Sequence, residues 1–402
     1  MFIDFDRSIN VLGNQNIYIW GLGVFGLCVV KYIKKKGLVI NGIIDKNANE
    51  IGNFDGIKVY DSQILEKLDA SNSIILITAT TPNAINEIEK QIKETHKSIE
   101  YRILQGGSVY IDISGMCNLR CASCPVGNSS PGTFTKTSRG FMLPETYEMI
   151  LDKIKTEMPQ KRVVYLYIFG DPLLSPYLFD IIDITHKKDM FAVVSTNFSL
   201  NPNFDKLMEH APDCIKVSIS GFSQKVYETT HNGGNVELVK RNLYLLSEMM
   251  LKKNGTTTVL LGYHRYKNNT GDEEIRMRDL CNELGFVFQV KKGVYWNNLK
   301  RLGLEPFSQD DISFINTYCI DGDVYLDTKS IYNNEQLYCG YLDGRDKSLF
   351  IDWDGSVMLC CNFRSDSSIF PYSYLDVPMD IIQTDRSSHF LCRECMKHGI
   401  NF

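Results

Sequence analysis

Ile111-Asp112-Ile113-Ser114-Gly115-Met116-Cys117-Asn118-Leu119-Arg120-Cys121-Ala122-Ser123-Cys124-Pro125 is a strand end running into a loop with three cysteines at C-x3-C-x2-C. Loops at strand ends are where barrel folds carry their catalytic groups. A 4Fe–4S cube has four irons that each need one external ligand, and thiolates are the usual source. Three cysteines at this spacing wrap one cube and leave one iron open, able to bind substrate where a fully ligated site is not. Zinc is the alternative, but zinc sites normally pair two-cysteine clips and complete four ligands. No fourth ligand lies near these three in the sequence.

Working outward from this loop, apolar strands recur downstream at Val109–Ile113, Val163–Phe169, Phe191–Ser195, Cys214–Ile219, Thr257–Leu261 and Val287–Val290. Helical patterns such as Leu143–Lys155 and Glu237–Met250 lie between them. The fold class this predicts is α/β, with a central partial (β/α)6 barrel of the TIM type. Upstream, Gly106-Gly107 marks a boundary. The first 105 residues read as a small α/β unit with three or four strands, a Rossmann-like parallel sheet. From Leu304 the pattern decays into short strands, turns and cysteines, a tail that metal ligation would stabilise. The domains predicted are therefore 1–105, 106–303 and 304–402.

In the first unit, strand Ile17–Trp20 leads into Gly21-Leu22-Gly23-Val24-Phe25-Gly26 and a helix closed by Gly37, and Asp45 ends the next strand, Val39–Ile44. That is the context of a dinucleotide fingerprint. Gly21 allows the tight turn, Gly23 lets a phosphate approach, Gly26 completes the motif, and the helix amino terminus favours negative charge. The unit resembles the small amino-terminal domains of sugar acyltransferases and polysaccharide-pathway enzymes, which points to a nucleotide-activated sugar. A degenerate unit serving assembly alone is the alternative. A cobalamin site is not expected, because Asp-x-His-x-x-Gly is absent.

Composition narrows the class. The 402 residues are 44% hydrophobic and 23% charged, with a net charge of −5. No basic field recommends nucleic acid, and no apolar run spans a membrane. The first residues lack a signal-peptide layout, which predicts a cytoplasmic protein. Twelve cysteines in such a chain imply metal or redox chemistry rather than disulfides. Seven of them form two groups, Cys117/Cys121/Cys124 and Cys339/Cys360/Cys392/Cys395, with Cys361 beside the second. Cys28, Cys214, Cys281 and Cys319 are scattered, most of them in apolar settings that read as inert buried thiols.

The three-cysteine loop resembles the signature of the radical S-adenosylmethionine (SAM) superfamily, where the open iron chelates the amino and carboxylate groups of SAM. Ser123 stands where that family often has an aromatic residue. The resemblance continues along the strands. Gly170-Asp171-Pro172 is similar to the Gly-Glu-Pro element, with Asp171 one methylene shorter. Ser195-Thr196-Asn197 resembles the third-strand segment that contacts SAM or substrate. Ser218-Ile219-Ser220-Gly221 resembles Ser-x-Asp-Gly, with Ser220 in place of Asp, and His231 stands where Arg is common. The resemblance implies SAM contacts at Gly170, Asp171, Pro172, Ser195, Asn197, Ser218 and Ser220. Taken singly, Gly-Asp-Pro is also a plain turn and a Ser or Asn at a strand end a helix cap.

The C-terminal cysteines, together with the Asp354-Gly355 hairpin, resemble a shortened SPASM extension of the "twitch" form. This implies an auxiliary 4Fe–4S cluster on Cys339, Cys360, Cys392 and Cys395, with Cys361 as the substitute for Cys360. A structural zinc on the same thiolates is the alternative. As the resemblance implies it, one electron splits SAM into methionine and a 5′-deoxyadenosyl radical, which abstracts hydrogen from the substrate. A flavodoxin- or ferredoxin-type donor would supply the electron. The substrate expected is a sugar or nucleotide sugar, oxidised or epimerised, with the Cys319 or Cys281 thiol as hydrogen donor in an epimerisation. A peptide maturase and a non-enzymatic zinc or redox protein are the rival readings.

Overall fold

Apolar strands alternating with helices bury both faces of a sheet, and parallel pairing follows. The computed structural model describes residues 2–3, 9, 12, 15–80, 82–96, 98–104, 108–130, 140–253, 255–322, 326, 339 and 348–398. The Gly106-Gly107 boundary and the Gly340-Tyr341 pair lie outside the described residues. The chain divides into two compact units, Met1–Ser108 with Met158–Val163, and Val109–Glu157 with Val164–Phe402.

The first unit holds β1 (Phe2–Ile3), β2 (Asn16–Trp20), β3 (Ile40–Ile44), β4 (Asn53–Phe54), β5 (Ile57–Tyr60), β6 (Ser73–Ile77) and β7 (Glu100–Leu104). Their order is β1-β7-β6-β2-β3-β5-β4, parallel except for β4 against β5. Among the described residues this unit has seven strands, more than the three or four expected. The missed ones are short or, like Glu100-Tyr101-Arg102-Ile103-Leu104, half polar, so periodicity does not reveal them. β6 is buried along its whole length, as a central parallel strand should be. Strand order reverses between β2 and β6, which puts the Gly21–Gly26 loop at a topological switch point.

The second unit holds β8 (Val109–Ile111), β9 (Val163–Tyr165), β10 (Phe191–Thr196), β11 (Cys214–Ile219), β12 (Thr258–Arg265) and β13 (Val287–Lys292) as neighbours in chain order. Helices Pro144–Glu157, Leu178–Lys187, Phe204–His210, Val236–Lys252 and Asp272–Glu283 fall between successive strands. The apolar faces of the last three pack on one side of the sheet, against Ile215, Val217, Ile219, Val259, Leu261 and Phe288. Alternation along the strands leaves Lys216, Ser218, Gly262, His264 and Lys291 on the opposite, inner face. β9 stops at Tyr165, short of Phe169, because the N–H groups of Phe169 and Gly170 go to the Asp112 carboxylate instead of a ladder.

The C-terminal segment extends the same sheet. β14 (Leu349–Ile351) runs parallel to β8, and β15 (Ser356–Met358) and β16 (Ile369–Ser373) follow antiparallel. Gly355 has a φ of 85°, which lets the Asp354-Gly355 turn close the hairpin. Arg386, fully buried on helix Met379–Ser388, donates to the carbonyls of Leu359 at 2.9 Å and Ser348 at 2.8 Å. Among the described residues no helix is long and apolar enough to cross a membrane.

Candidate active site

The three-cysteine loop leaves β8 with its backbone tied down on two sides. Asp112 Oδ2 accepts from Phe169 N at 2.8 Å and Gly170 N at 3.1 Å, and Asp171 N donates to Met116 O at 2.8 Å. A Cβ on Gly170 would overlap Ser114 O, so only glycine passes there. Burial, then the neighbouring Asp352, pushes Asp112 up to about 7 against the N–H groups that it accepts from. Trp353 of the C-terminal hairpin lies over Gly115 and Gly140, where any side chain would meet the indole. Asp112 was not singled out from the sequence; its signal is a lone acid between Ile111 and Ile113.

Cys117, Cys121 and Cys124 are brought together closely enough that Cys124 raises Cys117 by like charge, and Cys117 and Cys124 both raise Cys121. Burial is the larger cause, taking Cys117 up to about 11 and Cys121 and Cys124 upward as well. The N–H of Leu119 faces the Cys117 sulfur and that of Val126 the Cys124 sulfur. Three soft thiolates with main-chain donors on two sulfurs fit a cluster, whose positive irons would hold the thiolates ionised. Among the described residues no three His, Cys, Asp or Glu side chains converge as ligands of one metal ion.

Next to the loop, Asp171 is buried and fully engaged. Its Oδ2 accepts from Thr196 Oγ1 at 2.9 Å, Asn197 N at 3.0 Å and Asn197 Nδ2 at 2.7 Å, and its Oδ1 accepts from Leu173 N at 3.1 Å. Burial pushes it up to about 6 in spite of those donors. Asp171 therefore locks the Gly170-Asp171-Pro172 turn to the end of β10, leaving backbone groups to face a ligand. Asn197 Nδ2 also donates to Asn118 Oδ1 at 2.8 Å, beside Cys117. Ser195 hydrogen-bonds the Tyr167 hydroxyl, and Ser218 sits on the inner face of β11. Ser220 Oγ meets His231 Nδ1 at 2.7 Å and the hydroxyl of Thr230.

The C-terminal cysteines gather too. Cys360 feels Cys361, Cys392 and Cys395, Cys392 feels Cys339, and Cys395 feels both Cys339 and Cys392. Burial first, then this mutual repulsion, raises Cys392 to about 11 and Cys395 to about 12. Asn362 N donates to Cys360 Sγ at 3.4 Å, whereas the charge of Cys361 reaches Tyr167 on the barrel side.

Other expected residues lie elsewhere. Cys281 is buried with Met277, Leu280, Phe286 and Phe288 on the helix side of the sheet, opposite the face of Ser218. The apolar face of helix Asp272–Glu283 thus carries this thiol, expected as a hydrogen donor, on the side of the sheet away from Ser218. Cys319 is enclosed by Tyr266, Tyr295, Phe314 and Ile315 in a cluster that packs on Ala122 of the loop. Such apolar packing suits a core thiol rather than a donor, and burial raises it to about 11. In the first unit, a Cβ on Gly26 would overlap Gly21 O, Gly21 has a φ of 109°, and Gly23 is open around its Cα. Asp45 was expected as part of the nucleotide fingerprint; its two oxygens accept from Leu22 N at 2.8 Å and Asn47 N at 2.9 Å, which shape the glycine loop.

Among solved structures, SuiB from Streptococcus suis is similar at 13% identity over 79% of this chain and 74% of that one, with a TM-score of 0.45. Native anSMEcpe with bound AdoMet gives 18% over 70% and 82%, with a TM-score of 0.46. BtrN in complex with AdoMet and 2-DOIA gives 13% over 73% and 88%, with a TM-score of 0.40. No curated protein sequence matches the chain. The family model of the Radical SAM superfamily matches residues 111–273, the segment carrying Cys117, Cys121, Cys124, Asp171, Asn197 and Ser220. That segment is similar to the radical SAM superfamily, a match that implies a 4Fe–4S cluster and SAM there.

Proposed function

We propose that Cys117, Cys121 and Cys124 ligate the catalytic 4Fe–4S cluster and that the chain cleaves SAM to act on a sugar or nucleotide-linked sugar. The observation that carries the catalytic half is the clamp joining the three-cysteine loop to the Gly170-Asp171-Pro172 turn through Asp112 and Met116. Held by these three thiolates, such a cluster would supply the electron for SAM cleavage. The protein's own part is positional. Asp171 holds Thr196 and Asn197, Asn197 holds Asn118 beside Cys117, and Ser218 lies on the inner face of β11. Fixing these groups before reaction is what restricts the radical to one carbon of the substrate.

Cys339, Cys360, Cys392 and Cys395 are proposed to hold an auxiliary 4Fe–4S cluster that supplies an electron acceptor for substrate oxidation. The glycine loop at the switch point of the first unit supports a nucleotide-linked substrate. The test is anaerobic reconstitution with iron and sulfide counting, followed by SAM and dithionite. About eight irons per chain and release of 5′-deoxyadenosine are expected. About four irons with SAM cleavage would remove the auxiliary cluster. Zinc without cleavage would overturn the whole reading. A panel of nucleotide sugars and of short peptides then separates the substrate classes by which one increases 5′-deoxyadenosine.

A further inference from the structure

Two lysines share the inner face of the barrel sheet. Lys216 on β11 is half-buried, and its Nζ lies 6.0 Å from the Tyr167 ring centroid. Lys291 on the edge strand β13 reaches it within hydrogen-bonding distance. Lys291 stays accessible to water. Gly262 on β12, between the two strands, leaves the space: a Cβ there would sit 3.3 Å from Lys216 Cε. His264, paired in register with Lys291, and His231 complete the wall, their rings 6.4 Å apart.

Two ammonium groups at this separation repel, and removing them from water is costly unless an anion compensates. Among the described residues no carboxylate balances them; the acidic group that reaches both is the Cys214 thiol. Burial, and next the charge of Lys291, pushes Lys216 down to about 7. Both histidines are also shifted down and remain neutral, so they offer hydrogen bonds but no charge balance. Lys216 lies on β11, the strand that carries Ser218 and leads to Ser220, and the register across β12 puts Lys291 on the same face as Ser218.

We propose that Lys216 and Lys291 form an oxyanion-binding pair that takes the phosphate or carboxylate of the substrate beside SAM. An oxyanion between the two nitrogens restores full protonation to both and accepts a charge-assisted hydrogen bond from each. This assignment rests on the reading of the barrel as the SAM-cleaving site, and it names the class of substrate: one with an anionic group. The diphosphate of a nucleotide sugar meets that requirement.

The test titrates inorganic pyrophosphate into the reconstituted, SAM-loaded protein by calorimetry. Saturable binding is expected, weaker by about ten- to a hundredfold in Lys216→Met and in Lys291→Met. SAM affinity should stay within about twofold of wild type in both. If Lys216→Met fails to fold, Lys291→Met on the exposed edge strand carries the same test. Absence of saturable pyrophosphate binding, or binding that survives both substitutions, overturns the proposal. So does a loss of SAM affinity with pyrophosphate binding retained, because the lysines would then hold the carboxylate of SAM. Release of 5′-deoxyadenosine is scored separately. A protein that binds pyrophosphate through these lysines without cleaving SAM leaves the pair standing and removes the functional reading.

Discussion

Ser220 Oγ lies 2.7 Å from His231 Nδ1, a neutral buried pair at the two positions where the family resemblance places an acid and an arginine. The imidazole also stacks on Tyr227 with ring centroids 4.6 Å apart. Burial lowers His231 to about 4, so the folded protein holds it unprotonated. The unfolded chain binds its proton near 6.5. Between those values the unfolded state carries more protons, so stability falls as pH drops. The window is about 6.5 to 4, and the contribution is about 3 kcal/mol when complete. Urea midpoints followed across that window should fall, and less steeply in His231→Asn, whose side-chain oxygen can still accept from Ser220.

Exchanging one partner alone tests the same pair from the other side. His231→Arg puts a cation against Ser220 with no acid to meet it, and an unpaired buried charge costs about 3–5 kcal/mol. Ser220→Asp by itself strands a carboxylate. The double variant Ser220→Asp/His231→Arg should recover at least about 1 kcal/mol relative to the sum of the singles, read from a double-mutant cycle in urea. Additive losses would mean that the two residues do not act as a unit.

Asp171 makes a counterintuitive prediction. Lengthening it to glutamate restores the acid of the family's Gly-Glu-Pro element, yet its carboxylate here is enclosed by Thr196, Asn197 and Leu173. An added methylene in that packed spot should cost about 1–3 kcal/mol. Asp171→Glu is therefore expected to melt lower and to bind SAM more weakly than wild type. A gain in either quantity would show that the acid normally faces the ligand.

The cysteine spacing and the order of strand-end motifs made the barrel and its loop legible, because both are local patterns. What stayed hidden are pairings across strands. Asp112 reads as an odd acid in an apolar strand until Phe169 and Gly170 arrive to fill it. Lys216 and Lys291 lie 75 positions apart and meet only because β12 carries Gly262 between them. Cys281 looked available as a reactive thiol, but it lies on the apolar face of helix Asp272–Glu283, packed with Met277 and Leu280. In the first unit, Asp45 read as the acid of a nucleotide fingerprint, and its bonds to the N–H groups of Leu22 and Asn47 appear only in the folded chain.

Gly170 tests the clamp directly. Its missing Cβ would overlap Ser114 O, a main-chain atom that is not free to swing aside. Gly170→Ala should separate the Gly-Asp-Pro turn from the cysteine loop. The expected result is a fall of the iron content by about half, from about eight to about four, with loss of 5′-deoxyadenosine release. The C-terminal cysteines would keep their share. Equal loss of all iron would point to general unfolding, and circular dichroism would show it.

Adjacent Cys360 and Cys361 have different surroundings, which separates their expected roles. Cys360 is buried, accepts from Asn362 N, and shares its field with Cys392 and Cys395. Cys361 is half-buried and its charge is felt by Tyr167 inside the barrel. Removing a ligand thiolate should release its cluster, whereas removing a neighbour should not. Cys360→Ala is therefore expected to drop iron from about eight to about four while SAM cleavage under dithionite continues. Cys361→Ala should keep about eight. The reverse pattern would make Cys361 the ligand, and it would require the 360–361 turn to rotate so that the Cys361 sulfur joins Cys392 and Cys395.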